Sequence, residues 1–566
     1  MKRFLIFSLS LLLTFLLVAC KSESSNSEVV NYSPVFSNLN LLQEFDKFED
    51  KLEQMPTVSN KEKEIDKLIK KIGVENFPLI QDDNVIFVYR AESQKKDISF
   101  VSDLSNWRKI KMKQLSDTSL YYLKIKAPEA SRFDYKFVID GRFKNDPFND
   151  NKTVSSVFGL NSQVMMPKYN SQGYWRDDLT VKKGHLNKEV LKDAEVSIYL
   201  PADYKENSTK KYPVLYFIGG DKYLEYGNVT NTLDKMIAKG KLEQVIGVFI
   251  DSKELSSENR VNSLIIKKII AYIDREYPTL TDANKRVLIG YNIFADLALR
   301  TILENNGLVA SYLGESPILS EKSIELLAEN TRKNISFYLH WGEFANQQNL
   351  VNNFKLARRL KEEGYRYKAE INLDGNDWGN WRENIAYGLE YILSDEQSSN
   401  GVDRLAIKED FDGEFPNHFQ IENDENIIAK EWSGKYQITF KDTSYAKLTY
   451  YKFSNFNLEA DLELLSNYPF AFVFSGERNH TLLINPQQKL FNIYIDGEEV
   501  YSKEIIDLLP VKKIRLTAKD NKIDIYLNGQ DLGEVSFTTE MSNYLSILGV
   551  KGTEVKFDRL YIEEEF

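Results

Sequence analysis

Cysteine is nearly missing from this chain of 566 residues, because Cys20 is the only one. A single cysteine excludes a framework of disulfide bonds and any metal site that needs several thiolates. Histidine is also scarce, and the four in the sequence are His185, His340, His418 and His480. No two of them lie four residues apart, the spacing with which two histidines bind zinc from one helix. We therefore expect neither a metal nor a cofactor.

Strongly basic segments are absent as well. Lysine and arginine number 73 against 84 aspartates and glutamates, which gives a formal net charge of −11. A protein that binds a phosphate backbone carries clustered positive charge, so nucleic acid is not an expected partner. The composition, 42% hydrophobic and 28% charged, is that of a globular protein. Its length corresponds to three or four domains of roughly 100–200 residues each.

Long apolar runs are confined to the start of the chain. Residues 4–18 are almost wholly apolar, follow two basic residues and end at a small alanine before Cys20. This order is that of a secretory signal peptide. About 15 apolar residues are fewer than the roughly 20 that a membrane-spanning helix needs, so an uncleaved membrane anchor is the less favoured alternative.

The segment Leu17-Val18-Ala19-Cys20 resembles the lipobox of bacterial lipoproteins. The resemblance implies removal of residues 1–19 and a diacylglycerol on the Cys20 sulfur, and two or more acyl chains anchor a protein stably. Residues 20–36 are polar and are expected to form a flexible tether. The prediction is a lipid-anchored protein of the cell envelope. Lys21 is not the aspartate that favours inner-membrane retention in enteric bacteria, so the outer membrane is mildly preferred.

Residues 37–80 have the apolar spacing of two helices separated by Pro56. Ser59 is expected to cap the start of the second helix, and Gly73 to follow its last turn. From residue 84 to residue 168 the pattern changes to period-two alternation in short segments with turn residues between them. That pattern predicts a β-sandwich.

Three segments within residues 84–168 resemble the glycogen-binding-like, Ig-type modules that precede many esterase and amylase catalytic domains. They are Asp103-Leu104-Ser105-Asn106-Trp107, Tyr135-Lys136-Phe137-Val138-Ile139-Asp140-Gly141 and Asp146-Pro147. The resemblance makes Trp107 a candidate platform for stacking on a sugar. The favoured alternative is a core aromatic, because buried tryptophan is common in sandwiches.

Residues 185–396 alternate apolar strands with helical stretches, which indicates a parallel sheet with crossover helices. Four segments resemble, in order, the "putative esterase" family of α/β-hydrolases, which includes enterochelin esterases and the esterase D group. These segments are Tyr199–Tyr204, Tyr212–Tyr216, Tyr272–Pro278 and Trp378–Arg382.

Residues 402–566 return to alternating strands, with Asn528-Gly529 as a hairpin turn. Their order resembles the concanavalin-like jelly rolls attached to sugar-processing enzymes. The predicted fold class is therefore multidomain α/β plus β. An α/β-hydrolase domain is flanked by an Ig-like β-sandwich on its N-terminal side and a concanavalin-like β-sandwich on its C-terminal side.

The positions that carry catalysis in α/β-hydrolases hold other residues here. The serine turn G-x-S-x-G of the family is matched by Gly290-Tyr291-Asn292-Ile293-Phe294. Asn292 has no hydroxyl with which to attack a carbonyl, and the bulk of Phe294 is expected to disturb the turn and the oxyanion side. By the same resemblance, Asn376 stands in the place of the histidine base and Ala345 in that of the orienting acid. An amide takes up no proton near neutral pH.

Loss of serine and histidine together is expected to remove ordinary acyl transfer, because triad members act as a unit. The leading hypothesis is a catalytically inactive, membrane-anchored esterase relative that binds carbohydrate or another envelope ligand. One alternative is an active carboxylic-ester hydrolase for a carbohydrate or siderophore ester. Its relocated catalytic set would lie in a cleft lined by His340, Trp341, Glu343, Asp377 and Trp378. The other alternative is a structural or protein-interaction lipoprotein.

Overall fold

The computed structural model describes residues 41–92, 96–155, 159–191, 194–205, 209–254, 261–305, 307–331, 334–344, 347–394, 404–409, 427–431, 436–447, 456–475, 478–537 and 544–565. The predicted signal segment, Cys20 and its tether lie outside these residues, as do Ala345 and His418. Over the described ranges, no helix combines the length and the apolar character that a membrane crossing demands.

Two helices begin the described part of the chain, α1 (Leu41–Glu53) and α2 (Val58–Ile72). Thr57 caps α2, since its side chain accepts a hydrogen bond from the backbone N–H of Asn60. The prediction of Ser59 as the cap is therefore wrong by two residues. Thr57 and Ser59 both carry a hydroxyl, and the helix begins directly after the earlier of the two. Gly73 ends the helix with φ 85°, a conformation that glycine adopts without strain.

Two sheets pack face to face in the region that follows, which we call the N-terminal β unit. Its strands are β1 (Leu79–Gln81), β2 (Asn84–Arg90), β3 (Ile98–Ser102), β4 (Ile110–Lys111), β5 (Lys113–Gln114), β6 (Leu120–Lys126), β7 (Arg132–Ile139), β8 (Arg142–Lys144), β9 (Lys152–Ser155) and β10 (Gly159–Met165). One sheet has the order β1-β2-β6-β5, and the other β4-β3-β7-β10-β9 with β8 paired to β7. Across the interface, the Phe87 ring lies 4.5 Å from that of Phe100 and 4.6 Å from that of Tyr135.

An eight-stranded sheet, the central sheet, follows with the order β11-β12-β14-β13-β15-β16-β17-β18. Its strands are β11 (His185–Leu191), β12 (Ala194–Leu200), β13 (Val214–Ile218), β14 (Ile246–Ile250), β15 (Arg286–Tyr291), β16 (Ser311–Glu315), β17 (Ser336–Gly342) and β18 (Arg366–Asn372). The helices between them are α3 (Gly220–Glu225), α4 (Val229–Ala238), α5 (Val261–Glu276), α6 (Asn292–Glu304), α7 (Glu321–Glu329), α8 (Gln347–Glu362) and α9 (Trp378–Leu393).

The central sheet is parallel from β14 to β18, and it is buried on both faces. Along β13, Tyr216 and Ile218 belong to one hydrophobic core, while Leu215 and Phe217 belong to another. Successive side chains of a strand point to opposite faces, which explains why β13 is apolar without alternation. The carboxyl ends of the parallel strands meet at one edge, where open α/β sheets bind ligands.

The C-terminal β unit also consists of two antiparallel sheets. Its strands are β19 (Arg404–Glu409), β20 (Ile427–Glu431), β21 (Tyr436–Phe440), β22 (Ser444–Lys447), β23 (Phe456–Leu464), β24 (Phe470–Ser475), β25 (Asn479–Asn485), β26 (Leu490–Ile495), β27 (Glu498–Glu504), β28 (Lys513–Lys519), β29 (Lys522–Leu527), β30 (Gln530–Ser536), β31 (Tyr544–Gly549) and β32 (Glu554–Glu565). One sheet is ordered β20-β21-β32-β23-β28-β29-β30, with β19 paired to β32, and the other β22-β31-β24-β25-β26-β27.

Aromatic rings join the two sheets of the C-terminal β unit. The Phe456 ring stacks on that of Phe474 at 5.1 Å, and the rings of Phe470 and Phe557 lie 6.2 Å apart. The hairpin turn predicted at Asn528-Gly529 is confirmed between β29 and β30, where both residues have positive φ. Such a two-residue turn matches the twist of the flanking strands.

Candidate functional site

The turn between β15 and α6, which we call the elbow, is the one that the sequence predicts in the place of a nucleophile elbow. Asn292 has φ 45°, in the left-handed region that a side chain other than glycine or asparagine seldom adopts. At Gly290, an added Cβ would lie 2.5 Å from the backbone oxygen of Phe294, so the strand and helix approach each other closely here. The chain therefore makes a sharp turn at the place where the resemblance to α/β-hydrolases predicts the nucleophile, and the residue there is an asparagine.

Phe294 follows the sharp turn, and the bulk of its side chain lies against the turn after β13. Its ring points toward the turn after β13, where Gly219 has φ 77° and an added Cβ would meet the ring at 2.9 Å. A ring atom of Tyr291, Cε1, lies 3.0 Å from the same Cβ position at Gly219. In α/β-hydrolases the backbone N–H groups that stabilise an oxyanion come from this turn and from the residue after the nucleophile. The two rings thus crowd the turn after β13.

Five rings pack together beside the elbow, and we call them the aromatic cluster: Tyr223, Tyr291, Phe294, Trp378 and Trp381. The Tyr291 ring lies 4.8 Å from that of Trp378, 5.1 Å from that of Trp381 and 5.2 Å from that of Phe294. Tyr223 meets Trp378 edge to face at 5.1 Å. Because Tyr223, Trp378 and Trp381 are at most 1% exposed, the cluster occupies this space as a packed core.

A buried carboxyl lies under the aromatic cluster, at the end of β16. Glu315 is fully buried, and its Oε2 accepts a hydrogen bond of 2.7 Å from the hydroxyl of Tyr223. Burial raises the pKa of Glu315 to about 8, so the carboxyl is neutral at pH 7. The next residue, Ser316, accepts a hydrogen bond of 3.0 Å at its Oγ from Trp381. Sequence reasoning missed Glu315, although a glutamate that ends an otherwise apolar strand is a visible signal.

His340 and Trp341 point to opposite faces of β17, so they do not line one cleft as predicted. His340 is fully buried, and its Nε2 lies 2.8 Å from Oδ1 of Asn380 in α9. Burial lowers the pKa of His340 to about 4, which keeps the ring neutral above pH 5. Trp341 packs on Phe354 of α8 at 5.2 Å and is also fully buried. Adjacent residues of a strand cannot share a face.

The remaining predicted residues lie after β17 and around the start of α9. Glu343 is partly buried, and desolvation raises the pKa of its carboxyl to about 7. The Oδ1 of Asn376 is buried without a hydrogen-bond partner among the described residues. Asp377 caps α9 through a hydrogen bond of 2.8 Å from the N–H of Gly379. Trp378 belongs to the aromatic cluster.

Trp107, the candidate platform for stacking on a sugar, makes a hydrogen bond through its ring nitrogen. Its Nε1 donates a hydrogen bond of 2.9 Å to the buried carboxylate of Asp103. The residue has φ 59° and is partly buried. The ring is therefore fixed by a polar contact, and part of its surface faces solvent.

Residues 188–392 match the family model described as "Putative esterase". The chain contains an esterase-like domain. Over 233 residues it is 22% identical to the uncharacterised protein YjcH of Bacillus subtilis (strain 168), a match that covers 38% of this chain and 96% of that protein.

Among solved structures, the enterobactin esterase FES from Shigella flexneri is similar at 15% identity and a TM-score of 0.47. That match covers 55% of this chain and 92% of the other. A ferulic acid esterase is similar at 14% identity and a TM-score of 0.32, over 37% of this chain and 97% of the other. The elbow, the aromatic cluster and Glu315 all lie within the esterase-like domain.

Proposed function

We propose that the chain is a catalytically inactive relative of the esterases, held at the cell envelope by lipid on Cys20, and that it binds a ligand without converting it. The elbow carries the proposal. The resemblance to α/β-hydrolases gives Asn292 the nucleophile position, and the φ of 45° at this residue supports a sharp turn there, but its side chain is an amide. An amide forms no acyl intermediate under conditions in which a serine would.

The aromatic cluster supports the same proposal. A tetrahedral intermediate needs hydrogen-bond donors about 2.7–3.1 Å from the oxyanion. Phe294 and Tyr291 lie close to the turn that would supply one of these donors. Since the rings beside the elbow pack on one another, we assign ligand binding to the two flanking β units. The resemblance of these units to Ig-type and concanavalin-like modules supports carbohydrate or another envelope polymer as the ligand.

A fluorophosphonate probe tests the loss of catalysis. We expect the purified mature protein to remain unlabelled and to leave p-nitrophenyl acetate intact. Asn292→Ser with Asn376→His restores a nucleophile and a base, while Asn292→Ala with Asn376→His serves as the matched control. Labelling of the first double variant alone would support an intact elbow. Labelling of the unaltered protein would contradict the proposal.

Glu343 favours a second candidate function, ester hydrolysis by a different set of residues. A carboxyl with a pKa of about 7 is suited to general acid–base catalysis near neutral pH. This function predicts hydrolysis of p-nitrophenyl acetate that increases from pH 6 to pH 8, because the base must be ionised. The activity should disappear in Glu343→Gln and persist in Glu363→Gln. No hydrolysis at any pH would exclude it.

Ligand binding and anchoring are tested separately. We expect the mature protein to bind at least one polysaccharide or cell-wall fragment on a broad array, and an array without binding would contradict the ligand proposal. Co-purification with another envelope component, without such binding, would favour a structural role instead. Metabolic labelling with an alkyne fatty acid should mark the outer-membrane fraction in cells that make the native chain, and labelling should vanish in Cys20→Ser.

A further inference from the structure

A buried cluster of charged side chains joins the N-terminal β unit to the loop before α9. We call it the interface cluster, and it consists of Asp103, Arg132, Asp134, Asp374 and Asp377, each less than a tenth exposed. Arg132 Nη1 lies 3.0 Å from Asp134 Oδ1 and 3.3 Å from Asp374 Oδ1. Its Nη2 lies 2.9 Å from Asp377 Oδ1. One guanidinium thus binds carboxyls from both sides of the interface.

The backbone of the loop fits directly against these side chains. A Cβ added at Gly379 would lie 1.2 Å from Arg132 Nη2, and one added at Gly375 would lie 2.4 Å from Asp103 Oδ2. The backbone N–H of Arg132 also donates a hydrogen bond of 2.9 Å to the oxygen of Leu373. Asn376, which stands where the family has its histidine, lies between the two glycines. The N-terminal β unit therefore positions the segment that carries this residue.

The interface cluster contains four carboxyls and a single guanidinium. Oxygens of Asp103, Asp134 and Asp377 lie within 4.8 Å of one another in a site from which water is excluded. Carboxyls this close do not all ionise together, because like charges repel. Either some of them hold protons or a cation lies between them. Burial raises the pKa of Asp103 to about 7 and that of Asp374 to about 8, and it raises the pKa of Asp134 as well.

Several further polar and charged groups face the interface cluster. Tyr169 donates a hydrogen bond to Asp374 at 2.9 Å, Trp107 donates one to Asp103, and Asn161 Nδ2 donates one to Asp134 Oδ2 at 3.0 Å. The charged neighbours are Lys136 on β7 and Arg382 and Glu383 on α9. Glu383 is engaged elsewhere, since it accepts hydrogen bonds from Ser171 and Trp175.

We propose that the interface cluster is a pH-sensitive latch between the N-terminal β unit and the Asn376 segment. While three of its four carboxyls hold protons, Arg132 balances the one remaining negative charge and the contact is closed. Loss of a proton adds negative charge to this buried site, and the contact loosens. The carboxyls that bind protons more tightly in the closed state favour closure below pH 7. That advantage falls as the pH rises from about 4, where the carboxyls of the open state ionise, to about 7 to 8, and it stays constant above this range.

Hydrogen exchange of the full chain, corrected for the intrinsic effect of pH, tests the latch. Between pH 6 and pH 9 we expect exchange in peptides covering residues 131–139 and 373–379 to accelerate by roughly a hundredfold, because a carboxyl with a closed-state pKa of about 8 weakens closure about tenfold for each pH unit between pH 6 and pH 8. Asp374→Asn removes the carboxyl with the pKa of about 8, and the Tyr169 hydroxyl, 2.9 Å from Oδ2, can accept a hydrogen bond from the new amide. In this variant the acceleration should shrink to the smaller part that Asp103 contributes.

Two further variants sharpen the test. Asp117→Asn changes an exposed carboxyl in the same β unit and should behave like the native chain. Gly379→Ala displaces Arg132 without altering charge, so exchange should be fast at pH 6 and at pH 9. Unchanged exchange of the native chain between these pH values would overturn the latch, even if a variant fails to fold. Slowing of the pH 9 exchange by calcium or manganese chloride would overturn it in favour of a cation site.

Discussion

Removing the buried carboxyl of Glu315 should make the protein more stable at neutral pH. The Glu315 carboxyl is neutral in the folded state, where burial raises its pKa from 4.5 to about 8. The unfolded chain ionises this group above about pH 4.5, so the free energy of unfolding falls as the pH rises from there to about 8. At pH 7 the loss amounts to about 3 kcal/mol, at about 1.4 kcal/mol for each pH unit.

Glu315→Gln keeps an oxygen that can accept the hydrogen bond from Tyr223 and removes the ionisation. The new amide N–H groups cost about 1 kcal/mol if they lack acceptors, and this cost does not vary with pH. Urea unfolding, followed by tryptophan fluorescence, should therefore show a stability gain that is about 2.5 kcal/mol larger at pH 7 than at pH 5. Glu329→Gln, on the exposed end of α7, is the control. Equal effects of Glu315→Gln at both pH values would refute the reasoning.

Three other predictions concern the elbow and its surroundings. Asn292→Gly should raise the melting temperature by the equivalent of up to about 1 kcal/mol, because glycine adopts φ 45° without strain; a fall would show that the amide makes a stabilising contact. Trp381→Phe should destabilise the domain by about 1–3 kcal/mol in urea unfolding, since Ser316 loses its buried partner; a neutral effect would contradict this. The ring resonances of His340 should not titrate between pH 5 and pH 8, and a midpoint inside that range would show that the ring is hydrated.

Local sequence patterns predicted most of the elements but not their side-chain contacts. Some features depend only on residues that are neighbours along the chain, so the sequence predicts them. Examples are the period-two alternation, the apolar strands and the Asn528-Gly529 turn. The cap of α2 was misplaced because Thr57 and Ser59 are chemically equivalent and only the backbone path distinguishes them.

The site was less predictable because its contacts join distant parts of the chain. The ring of Phe294 is accommodated by Gly219, which lies about seventy-five residues earlier in the sequence. Asp103, Asp134 and Asp377 are brought together by three different elements, and no spacing rule relates them. His340 is predicted to line a cleft because it lies near the C-terminal end of a strand, but its ring lies against Asn380 of α9.

The close fit of Arg132 against Gly379 also restricts how this protein can be recombined with its relatives. A different β unit placed before residue 167 would have to present an arginine at the same point, or leave carboxyls of the esterase-like domain buried without a counter-charge. A different esterase-like domain would have to keep glycine at the contact. We therefore expect the N-terminal β unit and the esterase-like domain to be inherited together. A gene fusion that joins only one of them to an unrelated domain should yield a poorly expressed product.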